Sequence, residues 1–300
     1  MSMTEQGKTE QSKQIEQIAK ESVPLTFIRV LSKPYLRTTG LRCIASIIRY
    51  FFLLQYRSAF LPGRIPVSKV DHPLDKKIPF LPGKVNIYID FVAFWLRTVG
   101  FLLRRFGRRA MEPVRHFLES MGQLYAFAAE VYAKNLSTTE RPFYIKRPKF
   151  LVIHLIDPHL MCIPSLHVMI VILTYTLFTE ILGSLGEEKN LAAQAEELRL
   201  GALAITEAVL YVKQHSVNCI PAAMYAMTKF NTRLFPPDEA ERFASGIFQD
   251  VDLPGKAEAD EIREYVLALY RRFLAQSSAL KGGEDWKKPL LDFLTNLTPG

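Results

Sequence analysis

Three hundred residues that are 49% hydrophobic are enough to bury a sizeable core, which excludes a largely disordered chain. A formal net charge of +8 points to an anionic partner, whether nucleic acid, phospholipid headgroups or a phosphorylated small molecule. Cys43, Cys162 and Cys219 stand far apart with no C-x-x-C pair, which excludes a disulfide framework and a structural zinc site.

Residues 1–23 are polar and charged and lack the apolar core of a cleavable secretory signal, so any membrane insertion comes from internal segments. A helix that crosses a bilayer takes about 20 mostly apolar residues. Six segments approach that requirement: 40–61 with Arg42, Arg49 and Arg57, 85–103 with Asp90 and Arg97, 116–133, 168–183 broken only by Glu180, 200–212 and 216–230. The run RRFGRR at 104–109 follows the second of these, where the excess of cations on short cytoplasmic loops would put it. Counting crossings from that loop sets the termini and 184–199 on the cytoplasmic side, and 62–84, 134–166 and the turn at 213–215 on the other. The competing reading is a soluble helical protein with buried amphipathic helices, since a mean hydropathy of +0.06 is low for a chain with many spans.

Within the loop at 184–199, residues 187–199 read as a short amphipathic helix. From 232 onward Pro236-Pro237, Pro254-Gly255 and Gly282-Gly283 punctuate a soluble stretch, and 256–276 carries Ile262, Val266, Leu267, Leu269, Tyr270 and Leu274 at helical spacing, as a docking or surface helix does. The expected organisation is a polar segment 1–38, a helical membrane domain 39–231 and a soluble helical tail 232–300. No repeat and no strand-rich stretch is evident.

Three polar blocks fall on the extracytoplasmic side of that topology: KNLSTTERP with Lys134 and Arg141, CIPSLH with Ser165 and His167, and YVKQH with Lys213 and His215. Arginine offers a fork of donors that matches phosphate oxygens, lysine a mobile positive charge, and Ser165 a hydroxyl. Pro164-Ser165 also begins the helix over 168–183, whose free N–H groups would face an anion. Two histidines divide the work of phosphoryl transfer, one attacking phosphorus and the other protonating the departing alkoxide.

These blocks resemble the type-2 phosphatidic acid phosphatase and vanadium haloperoxidase superfamily, with its pattern K-x6-R-P, then P-S-G-H, then S-R-x5-H-x3-D. Lys134, Arg141 and Pro142 match the first block, and the second reads PSLH with Leu166 in place of glycine. LDKKIPFLPGKVNIY at 74–88 is similar to a segment that precedes the second span in lipid-directed members. The third block departs: the carboxylate expected four residues after His215 is Cys219, and the arginine expected six before it is Val209. The resemblance covers about residues 40–230 and implies an all-α, six-helix membrane-embedded bundle with its site on the extracytoplasmic face. It implies His215 as nucleophile through a phosphohistidine, His167 as acid and later base, and Lys134, Arg141, Ser165 and Lys213 as the phosphate cradle, with no metal or organic cofactor. The expected activity is hydrolysis of a lipid phosphomonoester or diphosphate such as phosphatidate or a polyprenyl diphosphate. Transfer of a phospho-headgroup to a lipid alcohol, as in the sphingolipid synthases, is the enzymatic alternative. A non-catalytic anion-binding membrane scaffold is the alternative of another class, favoured by the missing aspartate.

Two further clusters have plainer readings. His154, Asp157 and His159 (HLIDPH) are ligand-type residues, but Pro158 breaks their spacing and they read as an ordinary loop. The basic runs abut apolar segments, so they fit lipid headgroups or the setting of topology rather than nucleic acid.

Overall fold

The computed structural model describes residues 17–61, 63–249, 254–280 and 285–297. Much of the polar segment expected at 1–38 lies outside them.

The apolar run after Pro164 sets the centre of the molecule. Ser165 caps helix α8 (Leu166–Leu185), its Oγ accepting from the Val168 amide at 3.5 Å, and Gly186 closes the helix in the left-handed region at φ 68°. Every side chain from Val168 to Leu173 is fully buried. Sequestering a side chain of that size is worth about 1.5–3 kcal/mol. Helices α5 (Phe91–Phe106), α6 (Met111–Tyr132), α9 (Ala192–Tyr211) and α10 (Cys219–Phe230) surround α8. A second layer adds α1 (Val23–Ser32) against α5. Helix α2 (Pro34–Ile47) lies along α6 and continues through a π-helical stretch, Ile48–Leu53, into α3 (Leu54–Phe60).

Two helical stretches among the described residues, Pro82–Tyr132 and Leu166–Leu185, are long and apolar enough to cross a membrane. Both are mostly buried inside the molecule, the second at 72%. The segments 40–61, 200–212 and 216–230 are helical but too short, too polar or too charged to meet the same measure.

Several elements differ from the sequence reading. From Ala192 onward the separate stretches 187–199 and 200–212 merge into the single helix α9, which passes Gly201 without a break. A Cβ there would come within 2.7 Å of the Phe94 ring, so the glycine is a notch for an aromatic on α5 and does not end the helix. The N-terminal segment is part of the bundle from Ile18 onward: the backbone amides of Ile18 and Ala19 donate to Glu197, and Arg29 donates to the carbonyl of Gly100 at 3.3 Å. The helix expected at 256–276 takes the docked of its two expected forms. In α12 (Lys256–Ser278), Tyr265 donates to the Asn218 side chain, and the Tyr270 and Thr228 hydroxyls lie 2.9 Å apart. The chain in between forms α11 (Pro237–Gly246), and α13 (Lys288–Thr295) accepts a bond from Ser68 through the carbonyl of Leu294 at 2.9 Å.

Two strands that the sequence did not announce tie the loops together. β1 (Val67–Lys69) pairs in parallel with β2 (Leu136–Thr138), and Met161 bridges to Ser137 beside them. The loop after α6 is thereby fastened to the segment before the short helix α4 (Val85–Tyr88), and the start of α8 is fastened to both.

Candidate functional site

The two histidines come together where those loops meet. His215 follows α9 in a tight turn: Lys213 adopts a left-handed φ of 55°, and the amides of Gln214 and His215 both donate to the carbonyl of Val209. His167 lies in the first turn of α8. His215 Nε2 sits 3.2 Å from His167 Nδ1 and 3.5 Å from Ser165 Oγ, so three polar atoms from two separate segments face one point. Ser165 and His215 are buried, while His167 is half-buried between the rings of Tyr88, at 4.7 Å, and Phe91, at 4.2 Å. These aromatics come from α4 and the start of α5, and their planar faces fix the orientation of the imidazole.

Burial holds His215 well below the usual imidazole range, at about 3, because a charged ring there would lose its hydration. The ring is therefore neutral at physiological pH and one of its two nitrogens keeps a lone pair. Its other nitrogen, Nδ1, is buried with no hydrogen-bond partner among the described residues. This is the atom that an orienting carboxylate would serve.

A carboxylate does hold the turn, though through the backbone. Asp75, in the LDKKIPF segment, accepts from the amide of Val217 at 2.8 Å and from that of His72 at 2.7 Å. Lys213 donates to the carbonyls of Asp75 and Ile78, fastening the same segment from the other side. Burial lowers the Lys213 pKa and raises that of Asp75. Lys213, which the resemblance assigns to a phosphate cradle, is thus engaged with backbone carbonyls two residues from His215. It borders a cavity of about 550 Å³ that also contains Arg141, Lys76, Asp71 and Phe80.

Arg141 reaches the site from the loop after α6. It donates to the Gln214 side chain at 3.1 Å and to the carbonyl of Asp157 at 3.0 Å, with a 4.0 Å ion pair to the Asp157 carboxylate. Lys134 does not join it. This residue directly follows α6, where the chain turns Asn135 and Leu136 inward to meet β1 and leaves the lysine exposed. Its positive field acts on Asp285. The K-x6-R-P spacing therefore delivers its arginine to the site but leaves its lysine outside.

The HLIDPH segment is more than an ordinary loop. Helix α7 (Pro148–Ile156) ends at Asp157, whose carboxylate accepts from the His159 amide at 2.8 Å and from Gln55 of α3. His159 Nδ1 lies 3.9 Å from Asp157, and His159 Nε2 lies 3.7 Å from the Cys162 sulfur. Burial alone would raise the Cys162 pKa, but the neighbouring Cys219 thiol and the His159 imidazole bring it down to about 6. The same burial would depress His159, which the thiolate raises to about 9. Sequence reasoning passed over this Asp–His–Cys row because its members share no regular spacing; the left-handed φ of 60° at His159 turns its ring back toward Cys162. Among the described residues no group of three or more His, Cys, Asp or Glu side chains is arranged to hold a metal ion.

The arrangement suits a tetrahedral oxyanion: a neutral imidazole nitrogen, a second imidazole and a hydroxyl converge, with an arginine fork one residue away along the turn. No family model, no curated protein and no solved structure matches the chain.

Proposed function

We propose that the protein is a membrane lipid phosphate phosphatase that works through a phosphohistidine. The observation that carries this reading is the convergence of His215 Nε2, His167 Nδ1 and Ser165 Oγ within 3.5 Å. His215 Nε2 forms a bond to phosphorus as the P–O bond to the lipid breaks, and His167 gives its proton to the departing alkoxide. Water then attacks phosphorus, returns a proton to His167 and releases phosphate as the N–P bond breaks. A lipid alcohol in place of water would turn the same intermediate into a headgroup transfer.

Neutral His215 supports the role of nucleophile, and Arg141 beside Gln214 supports charge neutralisation on the phosphoryl oxygens. The imidazoles touch directly, so a bound phosphoryl group has to part them. The proposal extends to a six-helix, multi-pass arrangement with the site on the extracytoplasmic face and the termini in the cytoplasm. It is supported by the apolar stretches and the cations of 104–109.

The bare Nδ1 of His215 favours a second reading, an anion-binding pocket without turnover. Phosphate release from short-chain phosphatidate and from a polyprenyl diphosphate by detergent-purified protein separates the two. Release that disappears in His215→Ala supports the phosphatase. Binding of inorganic phosphate with no release from either lipid supports the pocket alone.

A further inference from the structure

Helix α7 carries a surface that the catalytic reading does not use. Phe150 and Ile153 point inward, and the Phe150 ring meets those of Phe80 and Tyr144 edge-on at 5.9 and 5.2 Å. The opposite arc of the helix is apolar and exposed: Leu151 at 44%, Val152 at 51% and Leu155 at 74%, preceded by Phe143 at 83% and Ile145 at 53%. A row of large apolar side chains facing water opposes the hydrophobic effect unless something covers it. Lys146, Arg147 and Lys149 stand exposed beside them, and residues 143–156 contain no Asp or Glu. Apolar and cationic with no acid is the complement of an anionic phospholipid surface, where the apolar arc enters the acyl boundary and the cations meet the headgroups.

Length decides how such a helix sits. At 1.5 Å per residue, α7 is about 14 Å long, less than half of a hydrocarbon core of about 30 Å. It therefore lies in the plane of the interface and does not cross. Its two ends also matter, since Arg141 precedes the basic run and Asp157, which Arg141 contacts, ends the helix.

We infer that residues 143–156 form an interfacial anchor that seats the mouth of the site on an anionic bilayer surface, with Leu151, Val152 and Leu155 in the acyl boundary and Lys146 and Arg147 on lipid phosphates. Arg141, two residues before Phe143 and bonded to Asp157 at the end of α7, would then stand close to the headgroup of a lipid entering the site from the membrane. That delivery role rests on the phosphatase reading; the seating itself does not.

The test uses the full chain in lipid nanodiscs, with an environment-sensitive fluorophore on Leu155→Cys and, as control, on Lys189→Cys in the exposed loop between α8 and α9. The native cysteines are buried, and label taken up by the unsubstituted chain is measured and subtracted as background. In discs of phosphatidylcholine and phosphatidylglycerol with brominated acyl chains, the label at 155 is expected to be quenched on the order of two-fold, with little change at 189. Exchanging phosphatidylglycerol for phosphatidylcholine, or introducing Lys146→Glu with Arg147→Glu, is expected to relieve much of that quenching. Equal fluorescence at 155 with and without brominated lipid overturns the anchor. Quenching that ignores both lipid charge and the charge reversals overturns the anionic partner. No outcome depends on turnover, so an inactive protein that passes would remove the phosphatase and leave the anchor standing.

Discussion

His167 and His215 are separated by 48 positions in the chain, yet their facing nitrogens meet at 3.2 Å. The contact depends on two backbone devices: the Ser165 cap that starts α8 under His167, and the turn after α9 that Asp75 and Lys213 fasten beneath His215. The pair is a product of loop convergence, and its chemistry follows from burial.

Replacing His215 by alanine is expected to lower phosphate release by on the order of 10³-fold or more, because the atom proposed to attack phosphorus is lost. His167→Ala should spare the binding of inorganic phosphate while slowing release from a lipid with a poor leaving group. A His215→Ala protein that releases phosphate at the wild-type rate would remove this residue from the mechanism.

The pH profile follows from the low pKa of His215. Its ordinary value of 6.5 falls to about 3 in the folded chain, so this imidazole stays neutral as the solution is acidified, and the acid limb of any kcat/KM profile is expected not to be set near 6.5 by it. Stability moves in the other direction. The unfolded ring takes up a proton below 6.5 and the folded one does not, so folding free energy is fully present above 6.5. It then falls by about 1.4 kcal/mol per pH unit toward 3 from this group. Denaturant titrations of wild type and His215→Ala across that window read the difference.

Cys219→Asp restores the residue type that the resemblance expects beside the second histidine. If its carboxylate reaches the bare Nδ1 of His215, release should rise on the order of ten-fold, since an orienting acid fixes the tautomer and stabilises the cationic ring. Activity unchanged in a folded Cys219→Asp protein would show that the missing acid is not what limits turnover.

Cys162 should ionise near 6, against 9.0 for an ordinary thiol, as read from thiolate ultraviolet absorbance in wild type minus Cys162→Ser. His159 rises as Cys162 falls, so across most of the interval the folded pair holds the same number of protons as the unfolded pair, one of them moved from sulfur to nitrogen. The pair should therefore leave stability nearly flat in pH there while changing thiol reactivity greatly. His159→Ala is expected to return the thiol toward its ordinary range.

Asp75→Ala removes the acceptor for two backbone amides, and leaving such donors unpaired costs about 1–3 kcal/mol. A fall in unfolding temperature together with a rise in KM is the expected result, because the turn that presents His215 loses its anchor. Asp75→Asn keeps one acceptor oxygen and should recover part of the loss.

Much of the local structure was legible in the chain. Pro164-Ser165 before an uninterrupted apolar run fixes the start of α8, and the spacing of Ile262, Val266, Leu269 and Tyr270 fixes the buried stripe of α12. Both are short-range signals, in which neighbouring residues settle the conformation and the face that turns inward. The two histidines were legible for a related reason, since each stands at the end of a long helix and the helices run side by side.

The order of residues by itself determined where the helices begin, which faces are apolar, and that His167 and His215 sit at neighbouring helix ends. Only the tertiary structure decided that Lys134 stays outside while Tyr88, Phe91 and Gln214 come in, that Asp157, His159 and Cys162 form a row, and that α11, α12 and α13 pack onto the bundle. Those outcomes turn on parallel pairing between β1 and β2, on left-handed turns at His159 and Lys213, and on a carboxylate that reaches a turn more than a hundred residues away. Such contacts are set by the free energy of packing distant segments together, and local residue preference carries no record of them.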